Sequence, residues 1–252
     1  MLKTIYYFHD LALRIVEDLY NWSNVYFQAR SRQVFHFTQQ CQRILEIGGG
    51  DRITWTRRLA RFGEFVTVVE LEHHKAITAS LLAKRSHTKL ENVAWVVADA
   101  TALPFRNSSF DTVLCIDVIE HVPDDISLLS QIRRVLLRTG TAVITTMNEN
   151  RKHYWRPLIF DNHVREYSFD NLVEKAMISG LQVIRSFNFY KPITTIAREL
   201  QLGFIPTVPL PLLNLLINIP LGLLASIGER SKKTGGGIGV VLGSRTDDSS
   251  IV

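Results

Sequence analysis

The densest chemistry in the sequence lies in Asp117-Val118-Ile119-Glu120-His121. Two carboxylates and an imidazole at spacings of three and one converge if a helical turn starts there. Oxygen and nitrogen donors in that combination suit Mg²⁺, Mn²⁺ or Zn²⁺. The same residues also fit a reading without metal, in which His121 is a general base, Asp117 holds a ligand and Glu120 orients a loop. The spacing leaves both open.

A second cluster is built from glycine. Ile44-Leu45-Glu46-Ile47-Gly48-Gly49-Gly50-Asp51-Arg52 runs from a strand pattern into three glycines and then a helix pattern. Glycine there lets the backbone turn tightly and approach a ligand. Glu70 ends the next β-branched run, twenty residues after Gly50. A carboxylate at that place accepts hydrogen bonds from two ribose hydroxyls, so a nucleoside-containing cofactor is expected. Ile53 stands where a dinucleotide fingerprint needs a small residue. Asp51 puts negative charge where a pyrophosphate would sit. Both point to a cofactor without phosphates.

These residues need elements that bring strand ends together. Short β-branched runs at 43–47, 65–70, 93–97, 112–116 and 141–146 alternate with helical patterns at 54–61, 73–86 and 126–137. A helix over 169–179, a strand over 181–189 and a last apolar run at 238–243 follow. Such alternation predicts an α/β fold, a parallel sheet with helices on both faces. The unbroken apolar run Val113-Leu114-Cys115-Ile116 fits burial on both sides. Upstream, Ile5, Phe8, Leu11, Ala12, Ile15, Val16 and Leu19 share one face of a helical segment within 5–40.

At 252 residues, with 46% apolar and 21% charged residues, the chain is globular rather than disordered. Two cysteines, Cys41 and Cys115, exclude a disulfide framework and a Cys-based zinc site. Both are expected buried, in a reducing compartment. A net charge of +5 permits an anionic partner without demanding one. Charge and histidine come too early at the N-terminus for a secretory signal, so a cytoplasmic location is expected.

Together these motifs resemble those of class I S-adenosylmethionine-dependent methyltransferases. Glu46-Ile47-Gly48-Gly49-Gly50 is similar to the family's acidic-x-Gly-x-Gly motif, with Arg52 where a third glycine is common. Val68-Val69-Glu70 resembles the ribose-holding motif, and Ala98 to Phe105 the segment beside adenine. Ser109 to Val113 with Asp117 resembles the fourth strand and the start of the acceptor site. Val135 to Thr141 is similar to the turn before strand five. The resemblance covers roughly residues 42–190 and the last strand.

It implies a doubly wound, seven-stranded, mostly parallel Rossmann-like sheet whose last strand inserts antiparallel beside the sixth. It implies S-adenosylmethionine held by Glu46, Gly48, Gly50, Glu70, Asp99 and Ala100, with Asp117 at its amino end. The 117–121 loop would lie beside the sulfonium methyl. There, Asp117-x-x-Glu120-His121 resembles the Glu-x-x-Glu-His metal motif of ubiquinone-biosynthesis O-methyltransferases and of small-RNA 2′-O-methyltransferases, with a shortened first ligand. The RNA enzymes add a later histidine, and His163 stands at a comparable place. Asp117, Glu120, His121 and His163 are thus candidate ligands of a divalent metal such as Mg²⁺, and His121 with Asp117 the candidate catalytic pair. Alternatively, His163 caps the helix beginning near Ser168.

Residues 200–228 contain no charged residue but four prolines, Pro206, Pro209, Pro211 and Pro220. The proline-free pieces fall far short of the roughly twenty residues of a membrane span. Either this insertion is a lid over the acceptor pocket, or it lies in a membrane surface with Lys232 and Lys233 at the headgroups. The whole chain, 1–252, is expected to be a single methyltransferase domain. Its parts are a helical cap at 1–40, a core at 41–190, the apolar insertion at 191–237, and the last strand and tail at 238–252. The expected acceptor is an oxygen on a lipophilic small molecule. Alternatives are C-methylation of a quinone or isoprenoid precursor, and a membrane-associated cofactor-binding protein without transfer activity. Only residues 151–156 interleave basic and aromatic side chains, which argues against a nucleic acid.

Overall fold

The β-branched runs become a seven-stranded sheet and the intervening patterns become helices. The computed structural model describes residues 25–37, 41–51, 53–85, 90–150, 163–197, 219–221, 223–224 and 235–244. In chain order the elements are α1 (Val25–His36), β1 (Arg43–Ile47), α2 (Thr54–Leu59), β2 (Phe65–Glu70), α3 (His73–Arg85), β3 (Val93–Val97), β4 (Phe110–Ile116), a 3₁₀ turn (Ile119–His121), α4 (Asp125–Val135), β5 (Leu136–Met147), α5 (Phe169–Ile178), β6 (Leu181–Phe189) and β7 (Gly237–Ser244).

The strand order is β3-β2-β1-β4-β5-β7-β6. Strands β1 to β5 pair in parallel, and β7 runs antiparallel to β5 from Thr141↔Gly243 to Met147↔Gly237. From β1 the chain winds outward through β2 and β3, then returns to place β4 on the other side of β1. That reversal leaves a crevice beyond the carboxyl ends of β1 and β4, the place where open α/β sheets bind ligands. The glycine turn follows β1 and the Asp117–His121 segment follows β4, so both candidate clusters arrive at this crevice.

One apolar core fixes that arrangement. Leu45 and Ile47 of β1 and Val113 and Cys115 of β4 are buried with Leu128, Leu129 and Ile132 of α4 and with Ile238 and Val240 of β7. Each fully buried Leu or Ile contributes about 1.5–3 kcal/mol before entropy is counted. Leu128, Leu129, Ile132 and Val135 make one stripe of α4. The helix starts where the Asp124 carboxylate accepts the Ser127 amide at 2.9 Å.

Strand β5 departs from the expected turn at 135–141. It begins at Leu136, which pairs with Phe110, and the register with β4 then shifts between Phe110 and Thr112. Leu136 is fully buried, so burial extends the strand through a sequence that carries turn residues. Cys115 is buried as expected, whereas Cys41 is only half-buried, its sulfur 2.7 Å from the Thr112 hydroxyl.

The chain divides into two compact units, one of residues 33–150, 162–187 and 237–252, the other of residues 1–32, 151–161 and 188–236. The first carries the crevice. In the second, buried Arg30 donates to the Tyr190 hydroxyl at 3.0 Å and lies over the Phe189 ring. Residues 1–24 of the expected helical segment, Arg52, the 151–156 segment, most of 200–228, Lys232 and Lys233 lie outside the described residues. No described helix is long and apolar enough to cross a membrane.

Candidate functional site

A cavity of about 550 Å³ opens at the crevice, within the range of small-molecule sites. Its lining includes Gly48, Gly50, Glu70, Asp99, Ala100, Asp117 and His121. Six of the seven expected cofactor residues therefore share one wall system with the expected catalytic histidine. Glu46 does not line it. It alternates with Leu45 and Ile47 along β1, and its buried carboxylate accepts the Thr56 hydroxyl of α2 at 2.7 Å. Burial pushes this carboxyl up to about 7, with the Thr56 hydrogen bond opposing the shift.

The glycine turn is held by its backbone. Gly48 and Gly50 have φ of +75° and +63°, conformations that side chains resist. A Cβ on Gly48 would come within 2.3 Å of Val118 Cγ2, so the absent side chain lets the loop after β4 close on the turn. A Cβ on Gly50 would meet nothing within 4 Å, because that face is open. The Glu70 carboxylate is 8% exposed and fixed from both sides. Its Oε2 accepts the Gly50 amide at 2.7 Å and its Oε1 the Glu72 amide at 3.1 Å. Each oxygen keeps a second lone pair for a ligand hydroxyl. At the other wall, Asp99 Oδ1 accepts the Thr101 amide and hydroxyl, both at 2.8 Å, which orients the carboxylate.

The Asp117–His121 cluster is arranged differently from its spacing. Asp117 has φ of +53°, and the 3₁₀ turn begins only at Ile119. The left-handed residue breaks the helical register that would have stacked Asp117 on Glu120. Consecutive threonines at the end of β5 then take one acid each. Thr145 donates to Asp117 at 3.1 Å, and Thr146 donates to buried Glu120 at 2.9 Å. Glu120, His121 and His163 do come together, with one donor atom from each within 4.8 Å of the others. The His121 and His163 rings meet edge to face at 4.9 Å. Asp117 is not part of that group, though it lines the cavity. Nor does His163 cap the following helix, since the Ser168 hydroxyl accepts the Asn171 amide there at 3.2 Å.

Three oxygen and nitrogen donors at this separation fit a divalent cation once the side chains close by about an ångström, because metal-ligand bonds near 2.0–2.2 Å put ligands closer together. His121 is exposed on the cavity wall.

Sequence reasoning missed the supports of these groups. Thr145 and Thr146 left a faint signal as adjacent hydroxyls at a strand end. Asp125 and Tyr167 left none, being 42 residues apart, yet the Tyr167 hydroxyl donates to Asp125 at 2.7 Å in the core. Leu71 and Lys75 also line the cavity mouth, with Lys75 paired to Glu72.

Residues 45–144 match the family described as "Methyltransferase domain". A ubiquinone biosynthesis O-methyltransferase of Psychrobacter cryohalolentis is 28% identical over 152 residues, which are 60% of this chain and 58% of that protein. The chain thus spans less than two thirds of that relative's length. Among solved structures, an S-adenosylmethionine-dependent methyltransferase from Aquifex aeolicus superposes with a TM-score of 0.56 at 13% identity, covering 69% of this chain and 92% of its own. The [4+2]-cyclase SpnF superposes at 0.59 and 15%, covering 89% and 82%. These two likenesses show the fold, and the cyclase shows that the fold alone does not fix the reaction.

Proposed function

We propose that the chain is a class I S-adenosylmethionine-dependent methyltransferase that transfers a methyl group to an oxygen of a small lipophilic acceptor. The supporting observation is the shared cavity, where the Glu70 carboxylate, the glycine turn and His121 face one space. Glu70 is set to receive the ribose hydroxyls, Asp99 and Ala100 to flank the adenine, and Gly48, Gly50 and Asp117 to line the methionine portion. S-adenosylmethionine supplies an already activated methyl group. The chain's own part is to align the acceptor on the line of attack and remove its proton. His121 is the group we assign to that proton. Val118 and Val122 give the neighbouring wall an apolar character suited to a lipophilic ring or tail. The name of the Psychrobacter relative supports an acceptor of that class.

The three-donor group favours a second reading of the same step. Glu120, His121 and His163 would hold a divalent cation, which would supply a lowered pKa to the acceptor hydroxyl. Activity that survives exhaustive chelation but is lost in His121→Ala supports the base. Activity abolished by chelator and restored by Mg²⁺, Mn²⁺ or Zn²⁺ supports the cation.

The acceptor is tested by mass spectrometry of lipid and quinone extracts from deletion and wild-type cells. A lipophilic species lighter by one methyl is the expected result, and extracts that match in every methylated species refute the acceptor class. We also propose peripheral membrane association through residues 200–228, on their uncharged, proline-broken sequence. Flotation with anionic liposomes that is abolished by deleting the segment supports it. A protein that stays soluble at every lipid composition refutes it.

A further inference from the structure

We propose that Asp125 and Tyr167 are positioning residues that set the His121–His163 ring pair, a role that rests on the methyl-transfer reading for its use but not for its geometry. The two histidines come from separate stretches of chain, and two backbone segments must be held in register for their rings to meet. One tie lies beside the rings. The Glu120 carbonyl accepts the Val164 amide at 2.8 Å and the Arg165 amide at 3.4 Å. The other tie is the Asp125 carboxylate, which begins α4 four residues beyond His121.

That carboxylate is 3% exposed and gathers donors from the His163 side. The Tyr167 hydroxyl donates to Oδ2 at 2.7 Å. Lys175 of α5 reaches Oδ1 at 3.1 Å and Oδ2 at 3.0 Å, and the Arg165 guanidinium pairs with Oδ2. The phenol has one proton to give, so its 3.4 Å approach to the Ile119 carbonyl is secondary. Tyr167 is itself fixed just beyond the end of β5, where the Glu149 amide donates to its carbonyl at 3.0 Å. The segment carrying His163 is thus clamped at one end to the turn carrying His121 and at the other to the start of α4, four residues beyond it.

A buried charge cluster of this kind is a poor source of stability, because apolar packing of the same volume does as well without the desolvation cost. What it supplies is one geometry. A carboxylate shared by a phenol and two cations accepts few alternative placements of residues 163–167, whereas an apolar contact would tolerate sliding.

The test reads the rings directly in the full-length chain. Aromatic ¹H–¹³C spectra of histidine-labelled protein resolve the two rings, assigned with His121→Gln and His163→Gln. Tyr167→Phe removes only the hydroxyl, and Asp125→Asn removes the charge. Leu172→Val, in the core of α5, serves as a control that loosens the same region without touching the clamp. Shifted ring signals for both histidines in Tyr167→Phe and Asp125→Asn, with wild-type signals in Leu172→Val, are expected. Wild-type ring signals in Tyr167→Phe, or equal shifts in the Leu172→Val control, overturn the proposal. Should Asp125→Asn not fold, Tyr167→Phe decides. Calorimetry with S-adenosylhomocysteine on the same samples keeps the two readings apart. Unchanged affinity in the variants places the clamp on the acceptor side. A wild-type chain that binds none of the ligand refutes the methyl-transfer reading while the ring signals still judge the clamp.

Discussion

Replacing Glu70 probes the proposed cofactor site most sharply, because both of its oxygens already accept backbone amides. In Glu70→Gln one oxygen becomes an NH₂ group. That group must face the amide of Gly50 or of Glu72, which now bond to Oε2 at 2.7 Å and Oε1 at 3.1 Å. A donor then meets a donor, and the isosteric change stops being conservative. Glu70→Ala leaves both amides to the open cavity instead. On the proposed reading, either variant deprives a ribose hydroxyl of a charged acceptor, which costs about 1.5–3 kcal/mol. The dissociation constant for S-adenosylhomocysteine therefore rises roughly tenfold to 150-fold. Glu70→Gln is expected at the upper end, since it also misplaces the Gly48–Gly50 turn. Isothermal titration calorimetry measures the affinity, and circular dichroism checks the fold. Wild-type affinity in both folded variants refutes the ribose role of Glu70. Binding of NADH in place of the adenosyl ligand refutes the cofactor itself.

The glycines give a contrast measurable by chemical denaturation. Gly48→Ala meets Val118 at 2.3 Å as well as backbone strain, whereas Gly50→Ala meets only strain, of about 1–2 kcal/mol, so Gly48→Ala loses more stability. Glu46 has a folded pKa raised to about 7, so its stability contribution is complete below the unfolded value and lost as pH rises through 7. Glu46→Gln should hence match wild type below about pH 4 and exceed its melting temperature near pH 8, without cofactor; equal melting temperatures throughout refute the burial argument. For Asp125, burial raises the carboxyl, but hydrogen bonds from Tyr167, Arg165 and Lys175 outweigh it and hold the group below the usual range. Its contribution is present above the unfolded value and lost as pH falls through the folded one. The stability gap between wild type and Asp125→Asn should accordingly shrink below about pH 4 in a series of thermal melts, and a constant gap refutes the ionic role.

Strands β1, β2 and β3 have the bounds that their β-branched runs predict, because short apolar runs between turn residues have one good use in a wound sheet. The start of β5 was illegible for the opposite reason. Leu136 to Gly140 reads as a turn locally, and only its pairing with Phe110 makes it a strand. At the site, Glu70 could be placed from its distance to the glycines, since the strand, the turn and the next strand have fixed lengths. Glu46 shows where such reasoning stops. A motif gives the residue's position on β1 but not the neighbour its face meets, and here that neighbour is Thr56. Asp117 failed to join Glu120 because one positive φ cancels a helical spacing, and a single dihedral leaves no trace in periodicity. The Asp125 clamp was invisible because each of its partners is at least 40 residues away.

The place of β7 in the sheet has a consequence for how the molecule is made. Strand β5 lies inside the finished sheet, yet its neighbour β7 follows it by roughly ninety residues. At ribosomal speeds of about 5–20 residues per second, that interval lasts roughly five to twenty seconds. During it, β5 offers one complete row of backbone donors and acceptors beside Ala142, Val143 and Ile144, with no strand to receive them. Parallel pairing among β1, β2, β4 and β5 has time to form first, so the growing chain passes through a half-sheet with an apolar open edge. A nascent chain stalled before Gly237 is therefore the form of this protein most exposed to aggregation, and the one a holding chaperone would bind.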